Sequence, residues 1–164
     1  MVFGARDGME ERVPSPVDIR LLGELRVVRD GKELALPPSK KTRALLAYLA
    51  LTGRPHRRER LCELFWELPD DPRGSLRWAL SKLRGLVDRP GEPALGADRE
   101  RVVLARGGIS VDYVEIMQRL RNSPVGGSLD DLQQMAGALA LPLLDGLDLP
   151  QCQAYQTWLT AERE

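Results

Sequence analysis

Three short amphipathic segments with clear start and stop signals limit what this chain can fold into. The first segment follows Ser39, a typical helix N-cap, and ends at Gly53, a residue common just past helix C-termini. The second covers about 57–66. The third starts at Asp71-Pro72, where Asp suits the N-cap and Pro the first helical position. These signals predict three successive helices, the third of which runs over 72–87.

Segments typical of β-strands lie on both sides of these helices. Between Ile19 and Val28, apolar and charged residues alternate, which predicts one half-buried strand. Asp30-Gly31 is a typical hairpin turn, and a return strand ends at Pro37-Pro38. Further β-like pieces occur at 94–96, 101–104 and 109–111. The order of hairpin, three helices and hairpin predicts an α+β fold of the winged helix-turn-helix type.

The pattern becomes helical after Tyr113. Helical segments are predicted at about 114–121, 128–140 and 151–163. Paired short helices resemble the start of a helical-repeat array, so we expect a partial all-α, TPR-like domain that continues in a longer protein. The predicted organisation is a flexible leader at 1–16, a winged helix at 17–113 and the start of a helical domain at 114–164.

Charge is distributed unevenly along the chain. The formal net charge is zero, with 24 basic and 24 acidic residues. Residues 17–113 hold 19 basic and 14 acidic side chains, a net charge of +5, whereas residues 114–164 hold 3 and 7, a net charge of −4. The composition excludes a disordered polyelectrolyte and a histone-like protein. A basic module and an acidic tail indicate two modules with different partners.

No motif for catalysis or metal binding is found in the sequence. The single histidine, His56, follows a proline in a predicted surface turn, and Cys62 and Cys152 are predicted to be buried small hydrophobic residues. No catalytic triad, Gly-rich phosphate loop or paired acids can be assembled. We therefore expect no enzyme, no cofactor and no metal site. The sequence also lacks a membrane span and a signal peptide, so we expect a cytoplasmic protein without membrane contact.

The outer face of the third helix points to nucleic acid. A helical projection places its leucines on one side, with no acid on the exposed face. The arginines Arg73, Arg77 and Arg84 flank the leucines, and the residues opposite them are Gly74, Trp78, Ser81, Lys82 and Gly85. Solvated helix faces usually mix both signs of charge, so an acid-free face favours phosphates and base edges. Arginine matches the two acceptors of guanine, and serine serves several bases. The predicted base-reading residues are Arg77, Ser81, Lys82 and Arg84.

Polar residues near the starts of the three helices are predicted to contact the DNA backbone, because free N–H groups there favour phosphate. They are Lys40, Lys41, Arg43, Arg57, Arg58, Arg73 and Ser75. Near the tip of the second hairpin, Arg99 and Arg101 are predicted to form a wing that enters the minor groove. The alternative for these two arginines is an ordinary charged turn.

The aromatic residues are assigned mainly to the core. Phe65 and Trp66 are expected to fill the space between the second helix and the sheet. Tyr155 and Trp158 are expected to form the core of the tail. Trp78 lies on the outer side of the third helix in the projection, and partial burial under a neighbouring strand is favoured over DNA contact.

Two ordered blocks of this sequence resemble a known family. The stretches of the first block are 19–23, 38–49, 58–61, 64–66 and 76–84, and those of the second are 143–150, 158–159 and 161–164. They look like the N-terminal part of the Streptomyces antibiotic regulatory protein (SARP) type of bacterial transcription activators. The second block is similar to the opening of the bacterial transcriptional activator domain of that family. The resemblance spans roughly residues 19–164.

The resemblance implies an OmpR-like winged helix that binds direct-repeat promoter sites in double-stranded DNA. It also implies self-association on tandem sites and contact with RNA polymerase through the helical domain. The third helix would enter the major groove, and the turn around Arg99 would be the wing. This chain has Arg101-Val102 where many members carry Gly-Tyr. The expected function is transcription activation, and the alternative is a protein-interaction module whose degenerate winged helix does not bind DNA.

Overall fold

The computed structural model describes residues 17–66, 71–122 and 127–164, so the predicted leader at 1–16 lies outside the described residues. The fold mixes helices with small sheets, which confirms the α+β prediction. In chain order the elements are β1 (Val17–Arg20), β2 (Arg26–Arg29), β3 (Lys32–Glu33), α1 (Lys40–Thr52), β4 (His56–Arg57), α2 (Arg58–Phe65), α3 (Pro72–Val87), β5 (Leu95–Ala97), β6 (Arg101–Leu104), β7 (Ile109–Val111), α4 (Asp112–Asn122), α5 (Leu129–Leu139) and α6 (Gln153–Arg163).

The first sheet has the strand order β3-β2-β1-β7. The expectation of one strand over 19–28 is wrong, because the chain reverses direction after β1 and Ile19 pairs with Val27 in an antiparallel ladder. Both residues face the core. The alternation of apolar and charged residues therefore continues through the reversal, and the sequence pattern does not reveal the turn. The hairpin turn at Asp30-Gly31 is confirmed, and both residues have the positive φ that a tight hairpin turn uses.

Helix α1 has the bounds that its capping residues predict. The Ser39 hydroxyl accepts a hydrogen bond from the backbone N–H of Thr42 at 3.3 Å. At the other end, Gly53 adopts the left-handed conformation and its N–H returns to Leu49. The Arg106 guanidinium lies over Gly53 and donates to the carbonyl of Ala50 at 2.9 Å and to that of Leu51 at 3.0 Å. A cation at a helix C-terminus stabilises it, so this arginine ties the β6–β7 connection to α1.

Helices α2 and α3 pack against α1 and against each other. The apolar stripe of α3 is buried, as its spacing predicts, with Leu76, Ala79, Leu80, Leu83, Leu86 and Val87 in the core. The second sheet has the order β4-β6-β5 and lies beside these helices, since β5 contacts α3 and β4 contacts α2. The outer face of α3 is thereby left to solvent.

The tail contributes to the same core as the N-terminal elements. Helix α6 packs on α2, with the Tyr155 ring 5.2 Å from that of Phe65. The Trp158 ring lies 4.7 Å from that of Tyr48 in α1. Tyr155 and Trp158 contact each other within the tail, but they do not form a separate tail core, because their rings also pack on Phe65 in α2 and on Tyr48 in α1. The predicted boundary at residue 113 stays a prediction, and apolar packing continues across it.

Hydrogen bonds also join the tail to the first sheet. The Asp112 carboxylate, at the start of α4, accepts from the backbone N–H of Leu21 at 2.8 Å and of Leu22 at 3.2 Å. The N–H of Leu144 donates to the Leu21 carbonyl at 2.8 Å. By contrast, α4 and α5 contain no buried residue, and Leu129 in α5 is 70% exposed. A TPR-like continuation of these helices stays a prediction.

Candidate nucleic-acid interface

Helix α3 begins where its sequence predicts. The Asp71 carboxylate accepts from the N–H of Gly74 at 3.0 Å, and Pro72 occupies the first turn. The helix contains four basic residues and no acidic residue. Because its apolar side packs against α1 and α2, the rest of its surface exposes the four basic residues together with Trp78, Ser81 and Gly85.

The structure places all four predicted base-reading residues on this exposed side. Arg77, Ser81, Lys82 and Arg84 are exposed, together with Arg73 near the start of the helix, whereas Ser75 is half-buried. Among the described residues, no salt bridge involves the basic groups of α3. Within the described part of the chain, these cations are therefore available to an external anion.

Trp78 lies on the same exposed side. It is 50% exposed, so half of its surface is buried, in agreement with the predicted partial burial, and it lies in a surface groove with Trp66. The Lys82 Nζ lies 5.2 Å from the centre of the Trp78 ring, within the range of a cation–π contact. Trp78 thus positions Lys82 and presents an aromatic face of its own.

A shallow groove of about 460 Å³ joins the starts of α1 and α3. It is lined by Ser39, Thr42, Trp66, Asp71, Gly74, Ser75 and Trp78. Phe65 is fully buried as expected, whereas Trp66 is half-buried and forms part of this groove. Of the basic residues predicted to contact the backbone from α1, Lys40 is exposed and Lys41 and Arg43 are half-buried. The lining of the groove includes one predicted phosphate contact, Ser75, and also the Asp71 carboxylate.

The β5–β6 hairpin carries a second basic group. Arg57 on β4 lies directly opposite Arg101 on β6 in an antiparallel pair, and both side chains are exposed. Like charges directly opposite each other destabilise a sheet, so this pair favours a bound anion. Arg99 is exposed at the turn of the hairpin. Two hydrogen bonds of 2.7 Å from the N–H groups of Arg101 and Glu100 order this turn and lower the pKa of the Asp98 carboxyl.

Arg58 makes a contact that the sequence did not indicate. Its Nε donates to the Asp98 carbonyl at 2.6 Å, and its backbone N–H donates to the Glu100 carbonyl at 2.8 Å. The residue that opens α2 thus holds the tip of the β5–β6 hairpin. Only the Asp-x-Glu-Arg turn pattern at 98–101 hints at an ordered tip in the sequence. Contact of Arg58 with phosphate stays a prediction.

His56 is buried, and the expectation of a surface turn is wrong. It is 4% exposed, its Nε2 lies 2.7 Å from the Thr52 hydroxyl, and its ring lies 4.8 Å from that of Tyr48. The reason is the short strand β4, which pairs His56 with Val102 and turns both toward the core. Burial, and secondarily the charge of Arg54, lowers the pKa of His56 to about 4, so the ring is neutral at pH 7.

Cys62 and Cys152 are both buried, as predicted. Burial raises the pKa of the Cys62 thiol, which makes it a poor nucleophile. In the part of the chain that the structure describes, no group of three or more His, Cys, Asp or Glu side chains is arranged to hold a metal ion. Within the same residues, no helix has the length and apolar character needed to cross a membrane.

Comparisons with known proteins give a match in structure only. No protein-family model matches the sequence, and no curated protein matches it. A solved structure of Mycobacterium tuberculosis EmbR, in complex with a low-affinity phosphopeptide, is similar with a TM-score of 0.65 and 24% sequence identity. The match covers 90% of this chain and 41% of the EmbR chain, so this chain spans less than half the length of that protein. The chain therefore has an EmbR-like fold.

Proposed function

We propose that this protein is a transcription regulator that binds double-stranded DNA in a sequence-specific manner through a winged helix. Helix α3 is the recognition helix, and the β5–β6 hairpin is the wing. The observation that carries this proposal is the exposed side of α3, which holds four basic residues and no carboxylate. A helix of about 10–12 Å in diameter with such a face fits the major groove of B-DNA.

The exposed and half-buried polar residues of α3 divide into two roles. Arg77 and Ser81, with Lys82 and Arg84 beside them, are assigned to base edges, because they are exposed along α3 beyond its first turn. Arg73 and Ser75, in the first turn, are assigned to the phosphate backbone. Base contacts supply sequence preference, and phosphate contacts set the position of the protein on the duplex.

The other basic groups fit the same mode of binding. Lys40, Lys41 and Arg43 at the start of α1 supply further backbone contacts. The opposed pair of Arg57 and Arg101 and the exposed Arg99 supply contacts through the wing, where a narrow minor groove attracts guanidinium groups.

The EmbR-like fold and the SARP-like sequence blocks support the same class of function. From the resemblance we extend the proposal to an activator that binds direct-repeat sites in pairs and contacts RNA polymerase through its helical tail. A protein-interaction module is the competing function. The exposed Leu129 and Leu132 of α5 favour it, because they form an apolar surface on a helix with no buried residue.

The test is the salt dependence of DNA binding. A preferred duplex is first selected from a random pool, and its affinity is then measured by fluorescence anisotropy at several salt concentrations. We expect the logarithm of the binding constant to fall linearly with the logarithm of salt, with a slope of about −5 for about six neutralised phosphates. A flat profile, or no binding to any duplex, would contradict DNA binding and favour the interaction module.

Substitution of single residues distinguishes base reading from backbone contact. Arg77→Ala is expected to weaken binding to the preferred site by about 1–3 kcal/mol and to relax the preference at one base position. Lys40→Ala is expected to weaken binding evenly on all sequences and to reduce the salt slope by about one. Arg60→Ala is the control, since Arg60 is exposed on α2 and paired with Glu63 at 3.3 Å. Equal losses on every sequence from Arg77→Ala and Lys40→Ala would refute the assignment of roles.

A further inference from the structure

The connection between the recognition helix and the wing is closed by one carboxylate. Asp88 follows the last residue of α3, and its Oδ1 accepts from the N–H of Ala94 at 2.8 Å and of Leu95 at 2.9 Å. Between these residues, Arg89 and Glu92 exchange backbone hydrogen bonds of 2.9 and 3.2 Å. Leu95 is buried and begins β5. The chain from the end of α3 to the first wing strand is therefore a single hydrogen-bonded unit.

Residues of the first hairpin hold the other side of this connection. The Arg29 Nη1 lies 3.3 Å from the Asp88 carbonyl and 3.4 Å from that of Leu86, where a helix C-terminus favours a cation. Arg89 pairs with Asp30 at 3.5 Å. The end of α3 is thus anchored to the first sheet at the same point where Asp88 anchors the wing.

The wing is held at both of its ends. Asp88 ties its base to α3, and Arg58 ties its tip to α2 through the Asp98 carbonyl. Asp88 lies at the C-terminal end of α3, and a carboxylate near the DNA-facing side opposes phosphate binding. The two hydrogen bonds that the Asp88 carboxylate accepts from backbone N–H groups account for an acid at this position.

We propose that Asp88 is a positioning residue that sets the wing at a fixed distance and angle from α3. Arg99 in the wing and the base-reading residues of α3 then engage one DNA site at the same time. This inference rests on the proposed function. Two contacts on one rigid body reinforce each other, because the second one forms without a further loss of freedom, and a mobile wing loses that advantage.

The test is a double-mutant cycle between Asp88 and Arg99, measured on the preferred duplex. Arg99→Ala in the wild-type background is expected to weaken binding about tenfold. In the Asp88→Ala background, Arg99→Ala is expected to weaken binding less than about twofold, since the wing contact is already lost. Asp88→Asn is the matched control. Because Oδ1 of Asp88 accepts both hydrogen bonds, the amide oxygen of Asn can accept them in its place. In this background we again expect Arg99→Ala to weaken binding about tenfold.

A second measurement does not depend on DNA. In hydrogen exchange, the amides of Ala94 and Leu95 are expected to exchange faster in Asp88→Ala than in Asp88→Asn, while the amides of α1 keep their protection. Unchanged exchange at Ala94 and Leu95 would overturn the proposed junction whether or not the protein binds DNA. The amides of α1 also show that the variant is folded.

The binding results separate this inference from the proposed function. If Arg99→Ala weakens DNA binding by the same factor in the Asp88→Ala background as in the wild type, Asp88 does not position the wing. If Arg99→Ala has no effect in the wild type while Arg77→Ala does, the wing does not contact DNA and the inference fails, but the proposed function stands. If the wild-type protein binds no duplex, the proposed function fails as well.

Discussion

Replacement of Tyr155 by alanine is expected to lower the free energy of unfolding by about 3–5 kcal/mol. Tyr155 has no exposed surface, and its ring packs on that of Phe65 in α2 and lies 5.6 Å from that of Trp158. Its hydroxyl donates to the Leu147 carbonyl at 3.1 Å, and burial raises the pKa of this hydroxyl, which keeps it neutral. Loss of the ring leaves a cavity between the tail and α2.

Urea denaturation followed by circular dichroism measures this effect. Tyr155→Phe keeps the ring and is expected to cost only about 1 kcal/mol, because one carbonyl loses its donor. Arg60→Ala, at an exposed site on α2 whose pair with Glu63 lies on the surface, is expected to change stability by less than about 0.5 kcal/mol. A loss below about 1 kcal/mol for Tyr155→Ala would show that α6 does not belong to the core around α2.

Replacement of Gly53 by alanine is expected to destabilise the protein by about 3 kcal/mol. Gly53 has a φ of 60°, where a Cβ atom costs about 1–2 kcal/mol. A Cβ at this position also meets the Arg106 guanidinium, which has to move away from the carbonyls of Ala50 and Leu51. Hydrogen bonds from a charged donor contribute about 1.5–3 kcal/mol each, and moving the side chain weakens both.

Gly31 provides the matched control for this substitution. It has a φ of 75°, and a Cβ atom there meets no atom within 4 Å. Gly31→Ala therefore reports backbone strain alone, and we expect about 1 kcal/mol. The difference between the two variants in thermal unfolding measures the Arg106 contact. Equal destabilisation by Gly53→Ala and Gly31→Ala would contradict a role of Arg106 in holding the end of α1.

The helix boundaries were predictable because their signals are local. Ser39, Gly53 and Asp71 act on backbone N–H and C=O groups within one helical turn of their own position. Their effect on where a helix begins or ends therefore does not depend on the rest of the fold. The acid-free side of α3 is local in the same sense, since the leucine spacing alone defines which side is buried. The helix boundaries and the acid-free side of α3 define most of the candidate site.

The strand segment over 19–28 shows where local signals fail. A period of two is the same in one long strand and in two strands joined by a tight turn, and only the pairing of Ile19 with Val27 distinguishes them. The prediction for His56 is wrong for a related reason. Its neighbours in sequence are a proline and arginines, but its neighbours in space are Thr52, Tyr48 and Val102.

By itself, the sequence determined the helices, the hairpin turn and the basic side of α3, because capping, turn conformation and helical spacing act over a few residues. Only the tertiary structure decided how these parts meet. It places Tyr155 against α2, sets Arg58 on the tip of the β5–β6 hairpin and closes the connection from α3 to that hairpin with Asp88. Such contacts join residues distant along the chain, and their energy depends on geometry that no local pattern encodes.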